Sequence, residues 1–294
     1  MLKALSLLLG LAVLIGTAAA VYLMVAAPEP RRIQAEPGDA VRGTYLARLG
    51  GCIACHTDSK GGGALLAGGA AIETPFGTFY GPNITQDPDD GIGDWSLQDF
   101  AAAMTGGQSP AGFAYYPVFP YTHYTLLSDQ EIADLWAALK TVPGVPGRAP
   151  ANRIDPPFDQ RFLLIAWQTL FLDAGPFRAD PERSEAWNRG AFIVEGPGHC
   201  GACHTPRNLL GGPESDQALA GGSGGPGGEK VPAITAAALQ AAGWSTGDIA
   251  FALKTGITPD GDSLGGSMGE VIQQGTSWLS DEDRQAIAVY LLER

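Results

Sequence analysis

The chain has 294 residues, which exceeds one ordinary domain and makes two domains the expectation. Its formal net charge of −13 argues against a nucleic-acid partner, because the phosphates would be repelled. The same negative charge is consistent either with a partner that has a basic docking face or simply with solubility. The 41 glycines and 22 prolines predict that much of the chain forms loops.

The N-terminal segment, residues 1–30, is apolar and has no charged residue from Ala4 to Ala27. At about 1.5 Å per residue, a helix over this run reaches about 36 Å, enough to cross a bilayer core of about 30 Å. We therefore expect a transmembrane anchor here. The alternative is a cleaved signal peptide, because the alanines at 18–20 form a suitable small-residue cleavage site.

A helix predicted over residues 39–49 leads into the first of two short motifs. These are Cys52-Ile-Ala-Cys55-His56 and Cys200-Gly-Ala-Cys203-His204, and together they use all four cysteines. C-x-x-C-H is the pattern of c-type haem attachment, in which both thiols bond the porphyrin and the histidine becomes the proximal iron ligand. A four-cysteine zinc site or a disulfide pair explains neither histidine. The sequence thus predicts two covalently bound haem c groups.

The same series of helix starts follows each motif, which indicates a tandem duplication. Trp95-Ser96 and Leu127-Ser128 in the first copy correspond to Trp244-Ser245 and Leu279-Ser280 in the second. Ser96, Ser128 and Ser280 each have an acidic residue three places on, so we expect capping boxes there. No alternating strand pattern is visible, and the expected fold is all-α.

Two haem domains are predicted, over residues 38–142 and 181–294, with a proline-rich connector over 143–180. Within the connector, Gln160–Leu172 has the apolar pattern of a helix that is too short to span a membrane. We expect this helix to be buried against the domains. Residues 211–228 are rich in glycine and predict a loop.

The sixth ligand of each iron decides between an electron carrier and an enzyme. Met268 lies 64 residues beyond His204, just ahead of the last helix, and thioether ligation there would raise the potential of haem 2. His123 lies 67 residues beyond His56, at the corresponding place, so we expect it to ligate haem 1. Haem 1 would then be the lower-potential centre, and electrons would run from the first domain to the second.

Two other candidate ligands are assigned to different roles. Met104 aligns with Leu253 at an ordinary helix position, so we expect it in the core. His199 directly precedes Cys200 on the proximal side of the porphyrin, which favours a hydrogen bond or a propionate contact over iron ligation.

Several longer strings carry a family resemblance. The chain resembles the cytochrome c subunits of membrane-bound bacterial alcohol, gluconate and aldehyde dehydrogenases over roughly residues 38–294. The resemblance implies tandem class I cytochrome c folds that pass electrons from a catalytic partner toward quinone or a terminal oxidase. The strings that carry it are Glu73-Thr-Pro-Phe-Gly-Thr-Phe-Tyr-Gly-Pro-Asn-Ile-Thr85, Gly91-Ile-Gly-Asp-Trp-Ser-Leu-Gln-Asp-Phe100, Trp187-Asn-Arg-Gly190 and Gly198-His-Cys-Gly-Ala-Cys-His-Thr-Pro-Arg-Asn208.

The chain departs from that family in two ways. The family usually has three haem domains, whereas this chain has two. The family's first ligand methionine lies in a Tyr-Pro-Ala-Met-Pro-Tyr string, and the matching string Tyr116–Tyr121 has Phe119 in its place. This difference strengthens His123 as the ligand. It also leaves open whether the partner is a molybdenum, flavin or quinone-cofactor enzyme.

The predicted function is a membrane-anchored dihaem electron carrier, with no catalytic residue of its own. Because haem c is attached outside the bacterial cytoplasm, we expect the haem domains in the periplasm and the anchor in the inner membrane. The donor would be a dehydrogenase subunit, and the acceptor a cytochrome, an oxidase or quinone. The alternative is a dihaem enzyme of the peroxidase or thiosulfate-oxidising type, which needs an iron with an open position.

Overall fold

Short helices and long loops make up the haem-domain region of the chain. The computed structural model describes residues 10, 11, 13–18, 21, 22, 29–222 and 225–294. The helices after residue 29 are α1 (Ala40–Leu49), α2 (Cys52–His56), α3 (Leu97–Gly106), α4 (Tyr121–Tyr124), α5 (Asp129–Leu139), α6 (Leu163–Phe171), α7 (Glu185–Glu195), α8 (Gly201–His204), α9 (Ala236–Ala241), α10 (Thr246–Thr255), α11 (Gly266–Gln274) and α12 (Asp281–Glu293), with 3₁₀ turns at Ser215–Gln217, Pro226–Gly228 and Thr276–Trp278.

The helix starts follow the local sequence. Asp39 caps α1 by accepting hydrogen bonds from the backbone N–H groups of Val41 and Arg42. Complete capping boxes form at Ser96 and Ser128, as predicted, and also at Ser245. Each cap satisfies N–H groups that have no partner within the helix, which fixes where these helices begin.

Each repeat is built on one closely packed helix pair, α1 with α5 and α7 with α12. Glycine makes the close approach possible at equivalent places. A Cβ atom on Gly43 would lie 1.8 Å from the carbonyl oxygen of Asp134, and one on Gly190 would lie 2.0 Å from that of Ala286. The shared geometry supports the tandem duplication.

An ion pair beside each glycine is a second feature that the two repeats share. The Nε atom of Arg42 lies 2.7 Å from the Asp134 carboxylate, and that of Arg189 lies 2.7 Å from the Asp283 carboxylate. Both carboxylates are buried, and two N–H groups of each arginine reach them. Such two-pronged pairing compensates for burial of the charge.

A small antiparallel sheet corrects the expectation of an all-α fold. It comprises β1 (Ala71–Thr74), β2 (Gly77–Tyr80) and β3 (Arg153–Ile154), in that order. Ile72 pairs with Phe79, and Thr78 pairs with Arg153, so the connector supplies the third strand to the first repeat. Gly77 has a φ of 122°, and a Cβ there would lie 2.2 Å from the Arg153 carbonyl oxygen.

The prediction of an N-terminal transmembrane helix is wrong. Over the residues that the structure describes, none of the helices combines the length and the apolar character needed to cross a bilayer. The described positions between 10 and 22 are helical. The rest of the predicted anchor, residues 1–9, 12, 19–20 and 23–28, lies outside the described residues.

The connector helix α6 packs one face against both repeats, through Gln168 on the first and Trp167 on the Leu210 carbonyl of the second, so its predicted burial is confirmed for that face alone. Leu164, Trp167 and Gln168 are buried, and the Gln168 side-chain amide donates to the carbonyl oxygens of Gly106 and Gly107. The opposite side of the helix exposes apolar side chains, such as Leu170.

The two repeats share one apolar core that contains residues from both, from Ile33 to Leu291. Polar contacts cross the boundary as well. The guanidinium of Arg48 stacks over the ring of Trp278 at 4.3 Å, and the His123 Nδ1–H donates to the Glu195 carbonyl at 2.7 Å. The repeats therefore form one packed body.

Candidate haem sites

The attachment motifs lie on single turns of helix, α2 and α8. Residues three and four apart share one face of a helix, so both thiols and the imidazole of each motif lie on the same side. None of the four cysteines is paired in a disulfide. Desolvation raises the pKa of Cys52 and of Cys200 to about 12, so both thiols are protonated at neutral pH. Such thiols are unlike a reactive redox dithiol.

The two proximal histidine candidates have the same anchor. His56 Nδ1 donates to the carbonyl oxygen of Pro82 at 2.7 Å, and His204 Nδ1 donates to that of Pro232 at 2.8 Å. Burial lowers the pKa of both imidazoles, which favours their neutral form. A backbone acceptor on Nδ1 leaves the Nε2 lone pair for a metal, the usual arrangement of a ligating histidine. These residues therefore fit two haem irons.

A directly coordinated metal such as zinc needs a cluster of ligands. Within the described parts of the chain, no group of three or more His, Cys, Asp or Glu side chains is placed to hold a metal ion. The four thiols are divided between two equivalent sites, as haem attachment requires and a four-cysteine zinc site does not.

His123, on α4, is anchored by the second repeat. Its Nδ1 donates to the carbonyl oxygen of Glu195 at 2.7 Å, and its ring lies 6.3 Å from that of His199. Desolvation lowers its pKa to about 4, so the imidazole is neutral. The anchor resembles those of His56 and His204. The ring also lies beside Gly201, close to the second attachment motif. Ligation of haem 1 by His123 stays a prediction.

Met268 lies on α11, which packs against α2 and α10. Glu229 holds the start of α11 by accepting from the Ser267 hydroxyl at 2.9 Å. The ligand candidate of the second repeat thus lies near the attachment helix of the first, and its assignment to haem 2 also stays a prediction. Met104 is 4% exposed and lies in the core, as predicted.

The two attachment motifs meet at a contact that sequence reasoning missed. The Gly50 carbonyl oxygen accepts the Tyr124 hydroxyl at 2.6 Å and the His199 ring Nε2–H at 3.3 Å. The predicted hydrogen-bonding role of His199 is therefore confirmed, with a partner from the other repeat. After desolvation, the nearby Cys203 thiol also contributes to raising the pKa of Cys55 to about 11. No local pattern reveals this contact, because it forms only when the repeats dock.

Comparison with known proteins supports the haem assignment. The family model for cytochrome c matches residues 40–143. A diheme cytochrome c-type protein of Cereibacter sphaeroides is 44% identical, and the alignment covers 97% of each chain. A subunit of the nicotinate dehydrogenase of Pseudomonas putida is 43% identical over 85% of this chain and 21% of its own.

The fructose dehydrogenase cytochrome subunit of Gluconobacter japonicus is 37% identical over 90% of this chain and 54% of its own. The chain therefore spans about half of that subunit and nearly all of the dihaem relative. The resemblance inferred from sequence motifs is confirmed, and so is the prediction of two haem c groups. The chain belongs to the dihaem c-type cytochromes, which transfer electrons through covalently bound haem c.

Proposed function

We propose that this cytochrome passes electrons from a catalytic dehydrogenase to an acceptor, using two haem sites, one in each repeat. The observation that carries this proposal is the pair of identical histidine anchors, His56 on Pro82 and His204 on Pro232. Two equivalent iron sites in one packed body suit a carrier that moves one electron at a time.

The proposed haem-binding residues are those that the sequence singled out. Cys52, Cys55, Cys200 and Cys203 would form the thioether bonds, and His56 and His204 would be the proximal ligands. His123 and Met268 would complete the iron coordination of haem 1 and haem 2. The haem supplies one-electron redox chemistry, and these residues hold it, set its potential and exclude water.

Support for His123 comes from its anchored, neutral imidazole and its position along the chain. Because its anchor is the Glu195 carbonyl, docking of the second repeat would fix the orientation of this ligand. The two ligands would give haem 1 the lower potential, since imidazole stabilises ferric iron better than a thioether does. Electrons would then move from the first repeat to the second.

We propose two haem domains, residues 38–142 and 181–294, joined by the connector 143–180. The chain matches cytochrome subunits whose names place them with dehydrogenases, which supports a dehydrogenase as the electron donor. A cytochrome, an oxidase or quinone would be the acceptor. The net charge of −13 favours a basic docking face on the partner.

We further propose a periplasmic location for the haem domains. The reason is chemical, because both C-x-x-C-H motifs require the thioether-forming machinery that works outside the bacterial cytoplasm.

The test begins with the pyridine haemochrome assay on the full-length protein, which should give two haem c per chain. The protein is then mixed with the dehydrogenase encoded by neighbouring genes and with that enzyme's substrate. Substrate-dependent reduction of both haems supports the proposal. One haem per chain, or peroxide turnover without dehydrogenase, would contradict it and favour a dihaem enzyme.

A further inference from the structure

A polar connection between the attachment motifs runs through His199. Its Nε2–H donates to the carbonyl oxygen of Gly50 at 3.3 Å. Gly50 is two residues before Cys52, and His199 is bonded directly to Cys200. One hydrogen bond therefore joins two covalent segments, each of which ends at a haem-binding cysteine.

His199 has an uncommon backbone conformation for a residue with a side chain. Its φ is 37°, in the left-handed region that residues with a Cβ atom rarely adopt. Glycine would occupy this position without strain. A side chain held in such a conformation commonly serves a function, and here the ring reaches across the repeat boundary.

The Gly50 carbonyl oxygen is held in place from its own repeat. The Tyr124 hydroxyl donates to it at 2.6 Å, and the Tyr124 side chain is buried. Tyr124 and Gly50 both belong to the first repeat, so this bond orients the acceptor without linking the motifs. The His199 bond makes the link.

We propose that His199 is the electronic bridge between the two haem sites. The path runs from Cys52 through the Gly51 and Gly50 backbone, across the hydrogen bond to the His199 ring, and along its backbone to Cys200. One electron passes, the site that gives it is oxidised by one unit, and the site that receives it is reduced by one unit. No proton or heavy atom changes partner. The inference rests on the proposed function, because it needs a haem at each motif.

A competing path would cross the boundary from Cys55 in the first motif to Cys203 in the second. It needs a jump through space, whereas the His199 path is covalent except for one hydrogen bond. The two paths differ in the residue on which they depend, which makes them separable by substitution.

The experiment uses the full-length, haem-loaded protein and three variants. His199→Leu removes the ring N–H, and His199→Gln keeps an amide donor. Tyr45→Phe is the control, because it removes a different hydrogen bond between the repeats, from the Tyr45 hydroxyl to Asp283. Haem content and both midpoint potentials are measured first, and they test the proposed function separately. A flash of photogenerated deazaflavin radical then delivers one electron, and its redistribution between the haems is followed by absorbance.

We expect His199→Leu to slow the redistribution severalfold at matched driving force. His199→Gln should restore part of the rate, and Tyr45→Phe should change it little. In the ferrous protein, ¹⁵N NMR should also show a solvent-protected His199 Nε2–H that survives in Tyr45→Phe. An unchanged rate in both His199 variants with two intact haems, or an Nε2–H that exchanges freely in the unsubstituted protein, would overturn the inference.

Discussion

The Tyr45 hydroxyl, on the first helix of the first repeat, donates to the carboxylate of Asp283 in the second repeat at 2.6 Å. The same hydroxyl oxygen accepts the backbone N–H of Ser280 at 3.1 Å. Arg189 reaches the carboxylate from its own repeat with two bonds of 2.7 Å. Tyr45 therefore links the two repeats through the buried carboxylate of Asp283.

Removing this hydroxyl should weaken the whole protein. We expect Tyr45→Phe to lower the free energy of unfolding by about 1.5–3 kcal/mol, the usual loss for a hydrogen bond to a charged group. Urea unfolding followed by circular dichroism measures it. Tyr80→Phe is the matched control and should change stability by less than about 0.5 kcal/mol. Equal effects of the two substitutions would show that the Asp283 contact contributes no specific stability.

The Asp283 carboxylate makes the free energy of unfolding depend on pH. Desolvation alone would raise the pKa of Asp283, but the bonds from Arg189 and Tyr45 outweigh it and hold the pKa below its ordinary value. A depressed folded-state pKa contributes stability above the unfolded-state value of about 3.9, and that contribution disappears as the pH falls through the folded-state pKa.

We therefore expect the unfolding free energy of the unsubstituted protein to fall steadily below about pH 4. Asp283→Asn should be less stable at neutral pH, because it loses the charge-assisted bonds, and its stability should fall less steeply in acid. Urea titrations at a series of pH values measure both slopes. Equal slopes for the two proteins would show that Asp283 does not contribute to the loss of stability in acid.

The ligand assignments have a spectroscopic test. His123→Ala should turn one of two low-spin ferric haems high-spin and leave the thioether-to-iron charge-transfer band of the other intact. Met268→Ala should abolish that band. Met104→Ala is the control, since it should cost about 2–5 kcal/mol of stability as a buried methionine but leave both spectra unchanged. Loss of the band in Met104→Ala instead would reverse the assignment.

The glycines of the helix crossings should tolerate no side chain. Gly43→Ala would place a methyl group 1.8 Å from the Asp134 carbonyl oxygen, so α1 and α5 would have to separate. We expect a loss of about 1–3 kcal/mol or more, measured by thermal unfolding. Gly247→Ala, at an open helical position, should be neutral or stabilising by up to about 1 kcal/mol. A neutral Gly43→Ala would contradict the close crossing.

Local chemistry explains how far the sequence could predict the fold. Capping boxes at Ser96 and Ser128 form as predicted, because all of their atoms come from four consecutive residues. Ser280 accepts from the Asp283 N–H, but the reciprocal bond from Asp283 to the Ser280 backbone does not form. The Asp283 carboxylate binds Arg189 and Tyr45 instead, and only the docked repeats bring those donors to it.

The sheet and the site also depend on contacts between distant parts of the chain, which local sequence does not reveal. β3 pairs with β2 across more than seventy residues of chain, and each strand is too short to show an alternating pattern. The attachment cysteines and their histidines were predictable from contiguous motifs. The contacts of His123 with Glu195 and of His199 with Gly50 depend on tertiary docking, so sequence spacing could not reveal them.

The connector is tied down along its length, by β3 at Arg153–Ile154, by the Asn83 side-chain amide on the Val145 carbonyl, and by Gln168 on Gly106. It is therefore fixed to the first repeat, and it also contacts the second, where the Trp167 indole N–H donates to the Leu210 carbonyl at 3.0 Å. A redox partner must come to a fixed face, so the rate of electron delivery should follow diffusion and docking, with no separate domain-rotation step.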